Sequence, residues 1–200
     1  MASKPKPPPT PPIRILSIDP AGGISGWSVL EYYPDKKQVV ILRHGLIKGE
    51  QVAKELKKTM MPAFSRQYTV LCAIRDTVAG LVLQEKPDYV ACEGPFAHRF
   101  VAAYASLKLV VDRIRQAVHQ VMNRDIYEMQ PTEVKMDLTG KGTASKDEMR
   151  EALLSHKSIV TTPTTRLTLK DAAEHEIDAI GVGYSFIKRR LLVPPVEDKK

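Results

Sequence analysis

Residues 13 to 19, Ile-Arg-Ile-Leu-Ser-Ile-Asp, form a short apolar run that closes on a carboxylate and is followed at once by Pro20 and a glycine-rich turn, 21 to 26. A run this short and apolar, stopped by Asp-Pro, predicts a buried strand rather than a helix. A second run, Tyr89-Val90-Ala91-Cys92-Glu93, also ends on an acid. Acidic side chains at the ends of adjacent buried strands repel each other unless a cation lies between them. His175 and Asp178 stand three apart in a C-terminal amphipathic stretch, so they share one helix face. A helix laid over such a sheet could bring Asp19, Glu93, His175 and Asp178 to one point. That is the chemistry of a divalent-metal site.

The rest of the chain is consistent with such a sheet. Residues 27 to 33 predict a second strand, 34 to 37 a hairpin turn and 38 to 46 a third strand, which together make an antiparallel meander. Residues 50 to 86 carry helical spacing broken at Pro62, with Val70, Leu71, Ile74, Val78, Leu81 and Val82 on one stripe. Residues 99 to 122 predict a long helix, whose stripe of Ala103, Leu107, Val110, Val111, Ile114 and Val118 faces either the core or a partner. A strand over 125 to 129, a brief helical turn from Pro131 and a loop over 138 to 144 follow. Ser145-Lys146-Asp147-Glu148 has the form of a capping box opening a helix to about His156. Residues 158 to 168 are expected as loop and 170 to 190 as the last helix. The expected fold class is α/β, a mixed five-stranded sheet with an antiparallel meander and then parallel strands, flanked by helices. One domain over 13–192 is expected between a Pro/Lys-rich extended tail, 1–12, and a charged tail, 193–200.

The chain has 200 residues and a formal net charge of +7. That excess favours a polyanionic partner, although much of it lies near the ends, at Lys4, Lys6, Lys188, Arg189, Arg190, Lys199 and Lys200. Together with a metal site it points to phosphodiester cleavage. Cys72 and Cys92 sit in apolar surroundings with no CxxC pair, so neither a zinc site nor a disulfide framework is indicated, and a reducing compartment fits. No apolar run reaches membrane-spanning length. The turn after Asp19 lacks the Gly-Lys-Ser/Thr of a Walker loop.

Ile18-Asp19-Pro20-Ala21-Gly22, followed by Gly26-Trp27-Ser28-Val29, resembles the first two strands of the RNase H-like superfamily, and within it the RuvC-type Holliday junction resolvases. Pro87 to Phe96 is similar to that family's second catalytic strand, its glutamate and the aromatic that follows. Val134-Lys135, Gly140-Lys141-Gly142 and Lys146 resemble its Val-Lys pair, Gly-x-Gly loop and lysine-bearing helix. His175-Glu176-Ile177-Asp178-Ala179-Ile180 resembles its terminal catalytic helix. Four blocks agree in order and spacing over roughly residues 13 to 190, and the proline-rich tail suggests a divergent or phage-encoded member.

The resemblance implies Asp19, Glu93 and Asp178 as metal-binding carboxylates, with His175 at a fourth position that is aspartate in some members. His175 would ligate metal, orient a water or transfer a proton. Asp171 and Glu174 are substitutes on nearby faces, and Glu176 is expected to be solvated. The family's phenylalanine stacks on bases of the opened junction, which makes Phe96 either such a platform or a core aromatic. Lys135 and Lys146 match lysines that approach DNA phosphates, and Lys141 could join them. Two Mg2+ ions, with Mn2+ as substitute, are implied, with symmetric paired nicks leaving 5′-phosphate and 3′-hydroxyl ends. The implied partners are branched DNA, a four-way junction above all, and a second copy of the chain, with the helix at 102 to 122 as its surface and no membrane. A cytoplasmic, nucleoid-associated setting is expected, in the host cytoplasm for a phage protein, with an organelle left open. Other branched DNA such as forks or flaps, RNA–DNA hybrids, or a catalytically decayed junction-binding module are the rival functions. An actin-like ATP-binding fold is a further rival, but no second similar half is visible in the chain.

Overall fold

The computed structural model describes residues 8–59, 65–96 and 101–192. Six strands form one mixed sheet: β1 (Ile13–Asp19), β2 (Ile24–Tyr33), β3 (Gln38–Lys48), β4 (Tyr89–Glu93), β5 (Tyr127–Met129) and β6 (Ile159–Thr161). Their spatial order is β5-β4-β1-β2-β3-β6. The meander β1-β2-β3 is antiparallel, while β4 runs parallel to β1, β5 to β4, and β6 to the start of β3. The hairpin between β2 and β3 turns through a short 3-10 segment, Pro34–Lys36, closed by Lys37 in the left-handed region.

Helices cover both faces. On one side lie α1 (Gly49–Thr59), α2 (Arg66–Glu85) and α3 (Val101–Met122); on the other, α4 (Pro131–Thr139), α5 (Lys146–Ser155), α6 (Pro163–Lys170) and α7 (Glu174–Phe186). The period-2 alternation of β1 splits the core accordingly. Leu16 and Ile18 pack with Val70, Ile74, Val78, Val110 and Ile114 of α2 and α3. Ile15 packs with Val134, Met149, Ile177 and Ile180 of the opposite layer. The stripe expected between 70 and 82 supplies most of the contact of α2; five of its six residues are in this core and the sixth, Leu81, packs against it. Among the described residues no helix is long and apolar enough to cross a membrane.

Three expectations change. Residues 158 to 168 are not loop: 159–161 make the sixth, edge strand, and Thr162 caps α6, its hydroxyl accepting from the Thr165 N–H at 3.1 Å. A three-residue strand is too short to show a period, and its pairing with Val39, Val40 and Ile41 is long-range. The stretch 170 to 190 is not one helix, because α6 ends at Lys170 and α7 starts at Glu174, with a π-helical turn, Ile187–Leu191, closing it. The brief turn at Pro131 is a full helix of nine residues. The helix break expected at Pro62, and tail residues 1–7 and 193–200, lie outside the described residues. Thr10 in the N-terminal tail is fixed to Asp35 by backbone and hydroxyl hydrogen bonds of 2.8 and 2.7 Å.

α7 crosses the middle of its sheet face at short range. A Cβ on Gly183 would lie 2.6 Å from both Leu30 Cδ1 and Ser17 Oγ, deep in the packed core. Replacing Gly183 by Ala should therefore destabilise the chain by about 1–3 kcal/mol despite alanine's better helix propensity. Urea unfolding followed by circular dichroism measures this; a stability gain would contradict so close a packing.

Candidate metal and active site

The register of the sheet sets the site. Ile18 pairs with Cys92 across the parallel β1–β4 ladder, so the next residues, Asp19 and Glu93, stand level at the end of adjacent strands. Alternation turns both side chains to the face that α7 covers, since Ile15 and Ala91 on the same parity belong to that core. The first two turns of α7 then place His175 and Asp178 over them. Asp19, His175 and Asp178 each offer a ligand atom, and these atoms lie within 4.8 Å of one another. His175 Nδ1 meets Asp19 Oδ2 at 2.6 Å. One cleft is lined by Asp19, Glu93, His175 and Asp178 together with Phe96, Lys135 and Lys146.

The approach of α7 depends on Gly26. This glycine, paired with Asp19 across the β1–β2 ladder, lies directly beneath the backbone carbonyl of His175. A Cβ there would overlap that carbonyl, so only glycine lets the start of α7 reach the strand ends.

The electrostatics are those of crowded acids. Glu93 is pushed up to about 8, chiefly by burial and then by the negative charges of Asp19 and Asp178, with Lys135 and His175 opposing. Burial, followed by Asp19, raises Asp178 to about 6. The hydrogen bond to Asp19 raises His175 above the ordinary imidazole value. Two carboxylates, Asp19 and Asp178, and the His175 imidazole form the close donor set, with the Glu93 carboxyl outside that set but lining the same cleft; hard oxygen of this kind is what Mg2+ and Mn2+ take. A cation would relieve the repulsion that burial enforces, so the residues present fit a metal.

The other expected residues fall as follows. Phe96 is 44% exposed at the cleft, which removes the core alternative. Lys135 projects into the cleft from α4. Lys146, at the first position of α5, also lines it and is ion-paired with Glu174. Lys141 bonds Glu148 Oε1 at 2.8 Å beside the cap of α5 and is not among the lining residues. Ser145 and Glu148 form the expected reciprocal cap, Glu148 N–H to Ser145 Oγ at 3.2 Å and Ser145 N–H to Glu148 Oε2 at 2.7 Å.

The substitutes for the fourth ligand do not join the cluster. Asp171 follows the end of α6, and Glu174 is engaged by Lys146. Glu176 is not solvated as expected; it is mostly buried and bonded to His44 on β3 at 2.7 Å. The sequence reading also missed the apolar wall of the cleft, Leu107, Val134 and Met149, which come from three different helices. The helical spacing of Leu107 is visible in the sequence, but not that it turns toward the acids.

A family model described as crossover junction endodeoxyribonuclease RuvC matches residues 15–180. The RuvC of Rickettsia rickettsii is 29% identical over 174 residues, which span 86% of this chain and 94% of that protein. The RuvC of Gloeobacter violaceus is 29% identical over 153 residues, spanning 76% and 79%. In three dimensions the chain is similar to T. thermophilus RuvC in complex with a Holliday junction substrate, with a TM-score of 0.64 at 18% identity over 86% of this chain and 92% of that one. At that identity the likeness speaks for the fold, here RNase H-like.

A carboxyl raised in the folded chain favours folding while it is protonated. Without metal, the stability contributed by Glu93 is therefore full below the ordinary glutamate value near 4.5 and is lost as pH rises through about 8. At pH 7.5 in chelator, Glu93→Gln should be more stable than the parent by roughly 1–3 kcal/mol, and the gap should close toward pH 5. Thermal or urea unfolding across this range checks it; a substitution that destabilises equally at both pH values would contradict the crowding.

Proposed function

The chain belongs to the RuvC family of crossover junction endodeoxyribonucleases, and we propose that it resolves four-way DNA junctions by metal-dependent hydrolysis, within a nuclease unit spanning residues 13–192. The observation that carries this reading is the convergence of Asp19, His175 and Asp178 within shared coordination reach at the strand end that also bears Glu93. These four residues are proposed as the metal-holding set, for two Mg2+ ions with Mn2+ as a substitute. Bound there, such ions supply Lewis-acid activation of water and neutralise charge on the phosphate, with 5′-phosphate and 3′-hydroxyl ends as products.

The chain's own side chains supply position and field. Asp19 accepts from His175 and so fixes the imidazole over the strand ends. Lys135 and Lys146 put positive charge at the cleft, where it draws a phosphate inward and lowers the cost of the clustered acids. For Lys146 to reach a phosphate, its ammonium leaves Glu174, an exposed pair that costs little to open. Phe96, at the open side, offers a flat apolar surface to an unstacked base. Leu107, Val134 and Met149 keep the inner wall dry. Lys141 is proposed as a peripheral phosphate contact, reached by exchange from Glu148.

A four-way junction has near two-fold symmetry and needs two matched nicks, which favours a homodimer. The first turns of α3 support it, with Val101 and Leu109 exposed and the core contacts starting at Val110. The proposed setting is the compartment that holds recombining DNA, cytoplasm or nucleoid.

The direct test is cleavage of a synthetic four-way junction with and without Mg2+, the cut sites mapped on every strand. Symmetric metal-dependent nicks are expected. Asp19→Asn should lower the cutting rate at least a thousand-fold and leave junction binding in Ca2+ within a few-fold; retained nicking would count against the site. Lys135→Ala should weaken binding and lower the slope of log affinity against log salt by about 1. An unchanged slope would show that this lysine does not meet a phosphate.

A further inference from the structure

The carboxylate of Glu176 ties the first turn of α7 to its own cap and, through His44, to β3 and α6. Its Oε2 accepts from the N–H of Ala173, the residue that caps the helix, at 2.7 Å. Its Oε1 meets His44 Nδ1 at 2.7 Å. His44 stands on β3, and its Nε2 lies 2.9 Å from Thr168 Oγ1 in α6. The imidazole is 4% exposed and the Glu176 side chain 14%. Because residue 173 is alanine, no side chain at the cap position can hold the free amides of this turn, and Glu176 is the side chain that closes it.

His175 and Asp178 flank Glu176 in the sequence, yet neither Glu176 nor His44 lines the catalytic cleft. The start of α7, whose first two turns carry both candidate ligands, is thus held from two strands: β2, through the glycine under the His175 carbonyl, and β3, through His44. The glycine contact limits how near the turn comes to the sheet. It does not stop the turn from rotating about its own axis; the Glu176–His44 bond does. Side-chain ends lie about 5–6 Å from a helix axis, so a rotation of roughly 10° displaces them by about 1 Å. A misplacement of that size at a reacting centre costs about a hundred-fold in rate.

We propose that His44 and Glu176 are positioning residues, a buried clamp between β3 and α7 that fixes the rotation of the first turn of α7 and so sets His175 and Asp178 against Asp19. The inference rests on the metal-site reading above. Neither residue touches substrate or metal. The two ring nitrogens of His44 thus face different partners, Nδ1 the Glu176 carboxylate and Nε2 the Thr168 hydroxyl.

The full chain tests this with Mn2+ alone, its binding followed by electron paramagnetic resonance, beside junction affinity in Ca2+, single-turnover cutting and thermal unfolding. His44→Ala and Glu176→Ala should each weaken Mn2+ binding and slow cutting by about 10- to 100-fold, with junction affinity held within about two-fold. Glu176→Gln can still accept from the Ala173 N–H and can donate to His44, so it should stay within about three-fold of the parent. Arg43→Ala breaks an ion pair to Glu85 on the other face of the same strand and should leave Mn2+ binding unchanged. If His44→Ala does not fold, the comparison of Glu176→Ala with Glu176→Gln decides. Mn2+ affinity that falls in Asp19→Asn but not in the clamp variants, with only their melting temperature lowered, overturns the clamp and spares the site. Glu176→Gln as impaired as Glu176→Ala overturns the geometric role in favour of charge. A parent chain that binds no Mn2+ overturns the site reading and the clamp with it.

Discussion

At the end of β1 the backbone of Gly26 lies against the carbonyl of His175, and no side chain separates sheet from helix. That contact fixes how close the start of α7 comes to the strand ends, and therefore whether a carboxylate on β1 and one on α7 can share a cation. A methyl group at residue 26 would push the helix away or force the strand to bend. Gly183, farther along α7, performs the same task over Ser17 and Leu30, so the helix is pressed to the sheet at both ends of its crossing. The site is in this sense a consequence of two missing side chains as much as of the acids themselves.

Close approach has an electrostatic cost. Burial and mutual repulsion hold Glu93 near 8 and Asp178 near 6, far from where carboxylates ordinarily titrate. In the metal-free chain the cost is met in part by protons and in part by the His175–Asp19 hydrogen bond, with Lys135 and Lys146 adding distant positive charge. A divalent ion does the same job better. On the proposed metal-site reading, the arrangement trades stability of the bare fold for affinity toward a cation, and strongly packed layers on both faces of the sheet offset that cost.

Much of this is legible in the sequence, for physical reasons that differ by element. β1 and β4 announce themselves because buried parallel neighbours read as unbroken apolar runs, and an acid ending each run is conspicuous. α2 follows from its apolar spacing and α5 from its capping residues, which act within one or two turns, whereas the start of α7 does not, because its cap position is an alanine. β6 escapes because three residues carry no period and its partner is more than a hundred residues away in the chain. α6 escapes although Thr162-Pro163 is a recognisable helix start, since the threonines around it read as loop. The clamp of His44 on Glu176 is invisible for the same reason as β6: it depends on which strand ends up beside which helix. The ion pair of Lys141 with Glu148 is likewise not read from a motif.

Anomalous diffraction from crystals of the chain grown with Mn2+ tests the central claim most directly. The account predicts anomalous density in the cleft, bonded to a carboxylate oxygen of Asp19 and to at least one of Glu93, Asp178 and His175. Saturating Mn2+ with no density there, or a structure in which the carboxyl groups of Asp19 and Asp178 stand beyond reach of one ion, would contradict it.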